Sequence, residues 1–345
     1  MEIDKTMEAS DMEKIDIYCH ILPEKYRQKL YQKARSGLYL EADGRLDTHH
    51  DSVPALFDMD RRFRIMDQFE GMKQVLTIAA PPLEAVAAPD TAVELAQIAN
   101  DEMAELVAKY PDRFVAAVAY LPMNDMEASL REAERAIEDL NLSGVLVYSP
   151  VEDKALDAPE FLPLYEMMAG YGLPIWLHPI RDRSTADYKS ETFSKYRIFH
   201  IFGWPYETSA AMTRLVFSGV LDRHPDLRFI THHCGGMIPF FSERLAGQGR
   251  RMMSQFYVEE KLDLSRPPIE YFKLFYGDTA LGSTPGLMCG YSFFGADHIL
   301  FGTDMPFGGA PQIAQAIDSV EKMSIPESDK HLIFHGNTRK LLKLG

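Results

Sequence analysis

"IDIYCHILPEKY" (Ile15–Tyr26) opens with a short apolar strand that ends in Tyr18-Cys19-His20 and carries one acidic residue, Asp16, inside its pattern. Strand side chains alternate between faces, so Tyr18 and His20 share one. Runs of the same β-branched and aromatic kind recur along the chain: QVLTIAA (74–80), FVAAVAY (114–120), GVLVYS (144–149), PIWLH (174–178), LRFITHH (227–233), LFYGDT (274–279) and HILFGTD (298–304). Between them lie helical stretches such as MEASLREAERAIEDL, where Leu130, Ala133, Ile137 and Leu140 fall at helical spacing. Continuous apolar strands alternating with helices mean a parallel sheet covered on both sides. Eight such units predict an α/β fold of the (β/α)8 TIM-barrel type, one domain over residues 1–345, with a doubly wound open sheet as the alternative.

The first connection is too long for a simple loop. It runs from about Leu22 to Asp58, carries Gly37, Gly44, Asp47, His49 and His50, and is expected to roof the catalytic end. A second long connection, Pro179 to Pro205, holds Arg181, Arg183, His200 and Trp204.

Composition bounds the function. The 345 residues are 46% hydrophobic and carry a formal net charge of −15, which argues against a nucleic-acid footprint. No apolar run reaches the ~18 residues of a membrane span. The polar, acidic start MEIDKTMEASDMEK lacks the regions of a signal peptide. Cys19, Cys234 and Cys289 are too scattered for a disulfide framework or a CxxC zinc site, so a reducing, cytoplasmic setting is expected.

In a (β/α)8 barrel the active site lies at the C-terminal strand ends. Here His20 closes strand one, His178 strand five, His232 and His233 strand six, and Asp304 strand eight. One strand-end histidine is commonly a hydrogen-bonded structural residue; four strand ends with His or Asp together point to a metal. Such a donor set with an open position suits one divalent ion, zinc first, with manganese or iron as alternatives.

DIYCHILP, WLHP, HHCGGMIPF and FGTDMPF, in that order, resemble the amidohydrolase superfamily. The nearest branch is the one named for aminocarboxymuconate-semialdehyde decarboxylase, which includes resorcylate and carboxyvanillate decarboxylases. The likeness extends from the first strand to GNTRKLL. It implies a metal-dependent, non-oxidative decarboxylase of a small aromatic or unsaturated carboxylic acid, with a hydrolase or hydratase of the same superfamily as the second reading. A metal-free barrel that only binds a ligand is the non-enzymatic alternative. By position the resemblance makes His20, His178 and Asp304 the metal ligands and His233 the catalytic histidine, with Asp304 the other candidate for moving the proton. His232 is expected on the opposite side of its strand. Arg244 matches an arginine that reaches a neighbouring subunit's substrate, which implies a homodimer or a dimer-based assembly.

Three positions depart from the family pattern. Tyr18 stands where relatives carry histidine or glutamate; a neutral phenol is a poor ligand, so Tyr18 is expected beside the metal as a hydrogen-bonding, substrate-side residue or a barrel-filling aromatic. The stretch with His49, His50 and Asp51 lacks the relatives' arginine, leaving Arg181 and Arg183 as candidate carboxylate clamps or solvated loop charges. His200 replaces a pocket-lining aromatic. Outside this set, Asp278 is a candidate supporting group, and His224, His331 and His335 are read as structural.

Overall fold

The strand Lys14–Ile21 (β1) is buried along its whole length, as its unbroken apolar run requires. A computed structural model of the chain describes residues 13–33, 49–254 and 262–345. Within them β1 is followed by Met72–Ile78 (β2), Phe114–Ala117 (β3), Ala119–Tyr120 (β4), Val145–Ser149 (β5), Pro174–Pro179 (β6), Arg228–Thr231 (β7), Tyr276–Asp278 (β8) and Ile299–Leu300 (β9). All ladders are parallel, in the order β1-β2-β3 and β4-β5-β6-β7-β8-β9. β3 and β4 are two halves of one barrel strand: Val118, between them, still donates its N–H to Leu76 O at 3.0 Å. The ring closes where Ile17 N donates to Phe301 O (2.9 Å) and His20 N to Met305 O (2.7 Å). The chain is therefore a (β/α)8 barrel.

Each barrel strand is followed by a helix that packs outside, among them Pro89–Lys109, Met126–Glu138, Leu162–Tyr171, Trp204–Phe217, Ser242–Met252, Thr284–Phe294 and Gly309–Glu321. Local chemistry sets their starts. Asp125 caps Met126–Glu138 by accepting from Ala128 N at 3.0 Å, and Ser283 caps Thr284–Phe294. Trp176 fills the barrel interior, fully buried, with Nε1 donating to Ile17 O at 3.1 Å. Gly144 (φ +150°) lies against Pro174 O and the Trp176 ring, leaving no room for a Cβ.

The last strand differs from its sequence reading. Only Ile299–Leu300 join the ladder, because the buried Asp16 carboxylate captures the chain at Thr303: Oδ1 accepts from Thr303 N at 2.9 Å, and Oδ2 from the Thr303 hydroxyl. Burial pushes this carboxyl up to about 6. The first long connection contains the helix Glu24–Lys33, the 3-10 turns His49–Ser52 and Pro54–Leu56, and the helix Met59–Met66. Gly37, Gly44, Asp47 and the His49 side chain lie outside the described residues.

Candidate active site

His20 at the end of β1, His178 in β6, His232 just after β7 and Asp304 beyond β9 converge at one end of the barrel. His20 Nε2 lies 3.2 Å and His232 Nε2 3.5 Å from Asp304 Oδ1. The rings of His20 and His178 are 5.1 Å apart, and those of His178 and His232 5.3 Å. The sets His20–His178–His232 and His232–His233–Asp304 each offer ligand atoms within 4.8 Å of one another. Asp304 holds φ at +61°, a left-handed value rare outside glycine, with its N–H donating to Tyr18 O at 3.2 Å. Burial raises the Asp304 carboxyl, but the neighbouring His20 and His232 rings outweigh it and hold the group well below the usual carboxylate range.

Backbone carbonyls orient two of the rings. His178 Nδ1 lies 2.7 Å from Pro179 O, and His20 Nδ1 lies 3.3 Å from Ile78 O. With Nδ1 as the donor, each ring keeps its Nε2 lone pair for the cluster. Burial, then the neighbouring His20 and His232, pushes His178 well below its ordinary value, so it is a neutral imidazole.

His232 corrects the sequence reading. Alternation places it opposite His233, yet both rings belong to the cluster, stacked 3.8 Å apart. The reason is local: β7 ends at Thr231, and from His233 to Gly236 four successive residues have positive φ. Alternation no longer applies once the chain has left the strand. His232 Nδ1 bonds the fully buried Asp278 carboxylate, whose Oδ1 also accepts from Cys234 N (3.3 Å) and Ala280 N (3.1 Å). Burial works against the His232 charge, but Asp278 and then Asp304 outweigh it and push the ring up to about 10. His233 goes the other way: burial and the charge of His232 push it well below its ordinary value, and neither ring nitrogen has a hydrogen-bond partner.

The remaining candidates divide. Tyr18 is fully buried and stacks on His232 at 4.1 Å, but its hydroxyl donates to Leu177 O at 2.9 Å. Burial, reinforced by nearby carboxylates, lifts its pKa well above the ordinary phenol range, so it stays neutral. His200 lies tilted against Trp204 at 4.3 Å, and Trp204 also flanks His178 at 5.4 Å. Arg181 is committed to Glu207 by an ion pair of 2.6 Å. Arg183 is exposed and stacks over Phe193. Arg244 is exposed on Ser242–Met252. One supporting residue escaped sequence reasoning altogether: buried Arg62, whose Nη1 donates to His20 O at 2.8 Å and whose Nε donates to Gln74 Oε1 at 2.8 Å. A buried arginine in RRFRIM looks like any amphipathic-helix charge.

This donor set fits a divalent metal. His20 Nε2 is buried without a hydrogen-bond partner beside the ionised Asp304 carboxylate, and His178 is a neutral imidazole, which is how such groups stand when arranged for a cation. Imidazoles and a carboxylate at the C-terminal strand ends are the arrangement of metal-using (β/α)8 enzymes. The chain belongs to the amidohydrolase family: the model described as Amidohydrolase matches residues 15–344. It is 32% identical over 83% of its length to gamma-resorcylate decarboxylase of Polaromonas sp. (strain JS666 / ATCC BAA-500), covering 87% of that protein. It is 28% identical to 2-amino-3-carboxymuconate-6-semialdehyde decarboxylase of Dictyostelium discoideum over 96% of this chain and 92% of that one. Among solved structures it resembles dihydroxybenzoic acid decarboxylase from Polaromonas sp. JS666, with bound manganese and the inhibitor 2-nitroresorcinol (TM-score 0.77, 30% identity, 96% of this chain and 97% of that one). No helix among the described residues is long and apolar enough to cross a membrane.

Proposed function

We propose that this protein is a metal-dependent carboxy-lyase that removes CO₂ without oxidation from a small aromatic carboxylic acid. The observation that carries the reading is the buried cluster of His20, His178, His232 and Asp304 in a chain whose relatives are named decarboxylases. His20, His178 and Asp304 would hold one divalent metal. Its histidine-rich donors favour zinc, and the manganese of the Polaromonas relative is the rival ion. When bound, the metal supplies Lewis-acid stabilisation of developing negative charge.

The chain's own residues handle the rest. Breaking the bond to the carboxylate releases CO₂ and leaves an electron pair on the ring carbon, which takes up one proton. The stacked pair His232–His233 is suited to that transfer. His232 holds its proton on Nδ1 against Asp278 and carries another at Nε2, while neutral His233 is free to accept or pass one. Asp304, held ionised, is the second candidate for the proton. Trp204, His200 and Phe307, whose ring lies 5.6 Å from His20, offer flat surfaces for an aromatic ring. Tyr18 supports the substrate side through its ring.

We propose further that residues 1–345 form one barrel domain with the insertion at about 22–58 roofing the active site, and the three free thiols agree with a cytoplasmic setting. A homodimer, or an assembly of dimers, is supported by exposed aromatics in two segments of the chain: Tyr196 (87% exposed), Phe202 and Tyr206 in one, Phe240 and Phe241 in the other, with Arg244 close by in sequence. The deciding experiment is CO₂ release from a panel of hydroxylated benzoates, with metal analysis of the same preparation. Release from at least one acid, lost on chelation and restored by zinc or manganese, is expected. Full activity in chelated, metal-free protein overturns the reading.

A further inference from the structure

Glu84 sits on the one-turn helix Leu83–Val86, in the loop that leaves β2 at the catalytic end of the barrel. Its Oε1 is buried and has no hydrogen-bond partner. Three tyrosines surround this corner. Tyr26 on Glu24–Lys33 is fully buried, with its ring 6.1 Å from Tyr120. The Tyr120 hydroxyl donates to Pro81 O at 2.6 Å, and the Tyr148 hydroxyl donates to Ile78 O at 3.1 Å. Those two protons fix the loop just ahead of Glu84; its carboxyl meets its own backbone N–H, while Oε1, like the buried Tyr26 hydroxyl beside it, has no partner. Nearby, Asn124 donates through Nδ2 to Ala87 O at 3.1 Å, and its buried Oδ1 is also without a partner.

This corner is continuous with the cluster. The Tyr148 ring lies 4.9 Å from His178, and Ile78 O receives both the Tyr148 hydroxyl and His20 Nδ1. A buried oxygen without a donor is destabilising, and no hydrogen bond among the described residues reaches Glu84 Oε1. The unmet Oε1 of Glu84 and Oδ1 of Asn124 are acceptors and the unmet Tyr26 hydroxyl can donate or accept, so a group that both donates and accepts, such as a hydroxyl, completes the corner.

We propose that Glu84 determines substrate specificity by receiving a hydroxyl or amino substituent of the aromatic acid. The assignment rests on the decarboxylase reading for the nature of the substrate. The same carboxyl repels a carboxylate, so it turns the acid end of the molecule toward the metal-binding cluster and the donor-bearing edge toward itself. Burial, with the charge of Glu152, lifts Glu84 to about 7. Near neutrality it therefore presents both an acceptor and a donor.

The test is calorimetric binding to the metal-loaded protein of 2-hydroxybenzoate and of the 2,3-, 2,4-, 2,5- and 2,6-dihydroxybenzoates, beside CO₂ release from each. In the unaltered protein at least one dihydroxy isomer binds ~10-fold tighter than 2-hydroxybenzoate, the worth of one well-placed hydrogen bond. Glu84→Leu erases that preference and leaves 2-hydroxybenzoate within ~3-fold; Glu84→Gln, close in shape and still an acceptor and donor, keeps part of it. Absence of any preference, a preference that survives in Glu84→Leu, or equal weakening of all five acids overturns the assignment. CO₂ release without a Glu84-dependent preference removes only the subsite. A Glu84-dependent preference without CO₂ release from any acid upholds the subsite and removes the decarboxylase reading.

Discussion

Glu84→Gln stabilises the metal-free protein at pH 8, and the gain disappears near pH 5. In the folded chain the Glu84 carboxyl titrates at about 7, against an ordinary value of 4.5, because burial disfavours its charge. Between those values the folded state keeps a proton that the unfolded chain has lost, so stability falls as pH rises, and the whole penalty is present above 7. At 1.36 kcal/mol per pH unit the interval amounts to ~3 kcal/mol. Glutamine never ionises and escapes the penalty, but its amide must be accommodated in the same buried corner, at ~1 kcal/mol. The net gain is ~2 kcal/mol at pH 8, turning into a loss of ~1 kcal/mol below pH 5. Urea unfolding followed by the fluorescence of Trp176 and Trp204, at intervals from pH 4.5 to 8.5, measures it. A difference between the two proteins that stays constant across that range refutes the argument, because only titration of Glu84 makes it vary.

The site sets three further outcomes. His178→Ala and Asp304→Ala each lower bound metal from about one per chain to near zero by elemental analysis; full occupancy in both refutes the ligand assignment. Asp278→Asn removes the charge that keeps His232 protonated, so kcat falls ~100-fold while the metal remains; an unchanged kcat excludes His232 as the proton carrier. Tyr18→Phe keeps the metal and costs ~1–2 kcal/mol of stability for the orphaned Leu177 carbonyl; loss of metal in that variant identifies a phenolate ligand instead.

Much of the barrel is legible from sequence because its strands are buried on both faces and read as unbroken apolar runs, as in PIWLHP. The convergence of His20, His178 and Asp304 is legible for a related reason, since each ends such a run in a fold that gathers strand ends. What escapes is whatever depends on distant partners. His232 defeats the alternation rule because β7 stops one residue before it. Arg62 and Glu84 look like surface charges in RRFRIM and PPLEAV, and only tertiary packing buries the arginine and the Oε1 of Glu84. Asp16 is visible as an oddity within an apolar strand, but its partner Thr303 lies 287 residues away.

That pairing has a consequence for how the protein is made. Asp16 grips Thr303, and Asp304 comes next in the chain, so the clasp that closes the ring also sets the carboxylate beside His20. A ribosome adding roughly 5–20 residues per second has released both His20 and His178 well before Asp304 exists. The nascent chain therefore has an incomplete set of donors for most of its synthesis. With His20, His178 and Asp304 as the proposed ligands, loading with metal would be one of the last events of biogenesis, and an occupied site would itself be a sign that Asp304 has met His20.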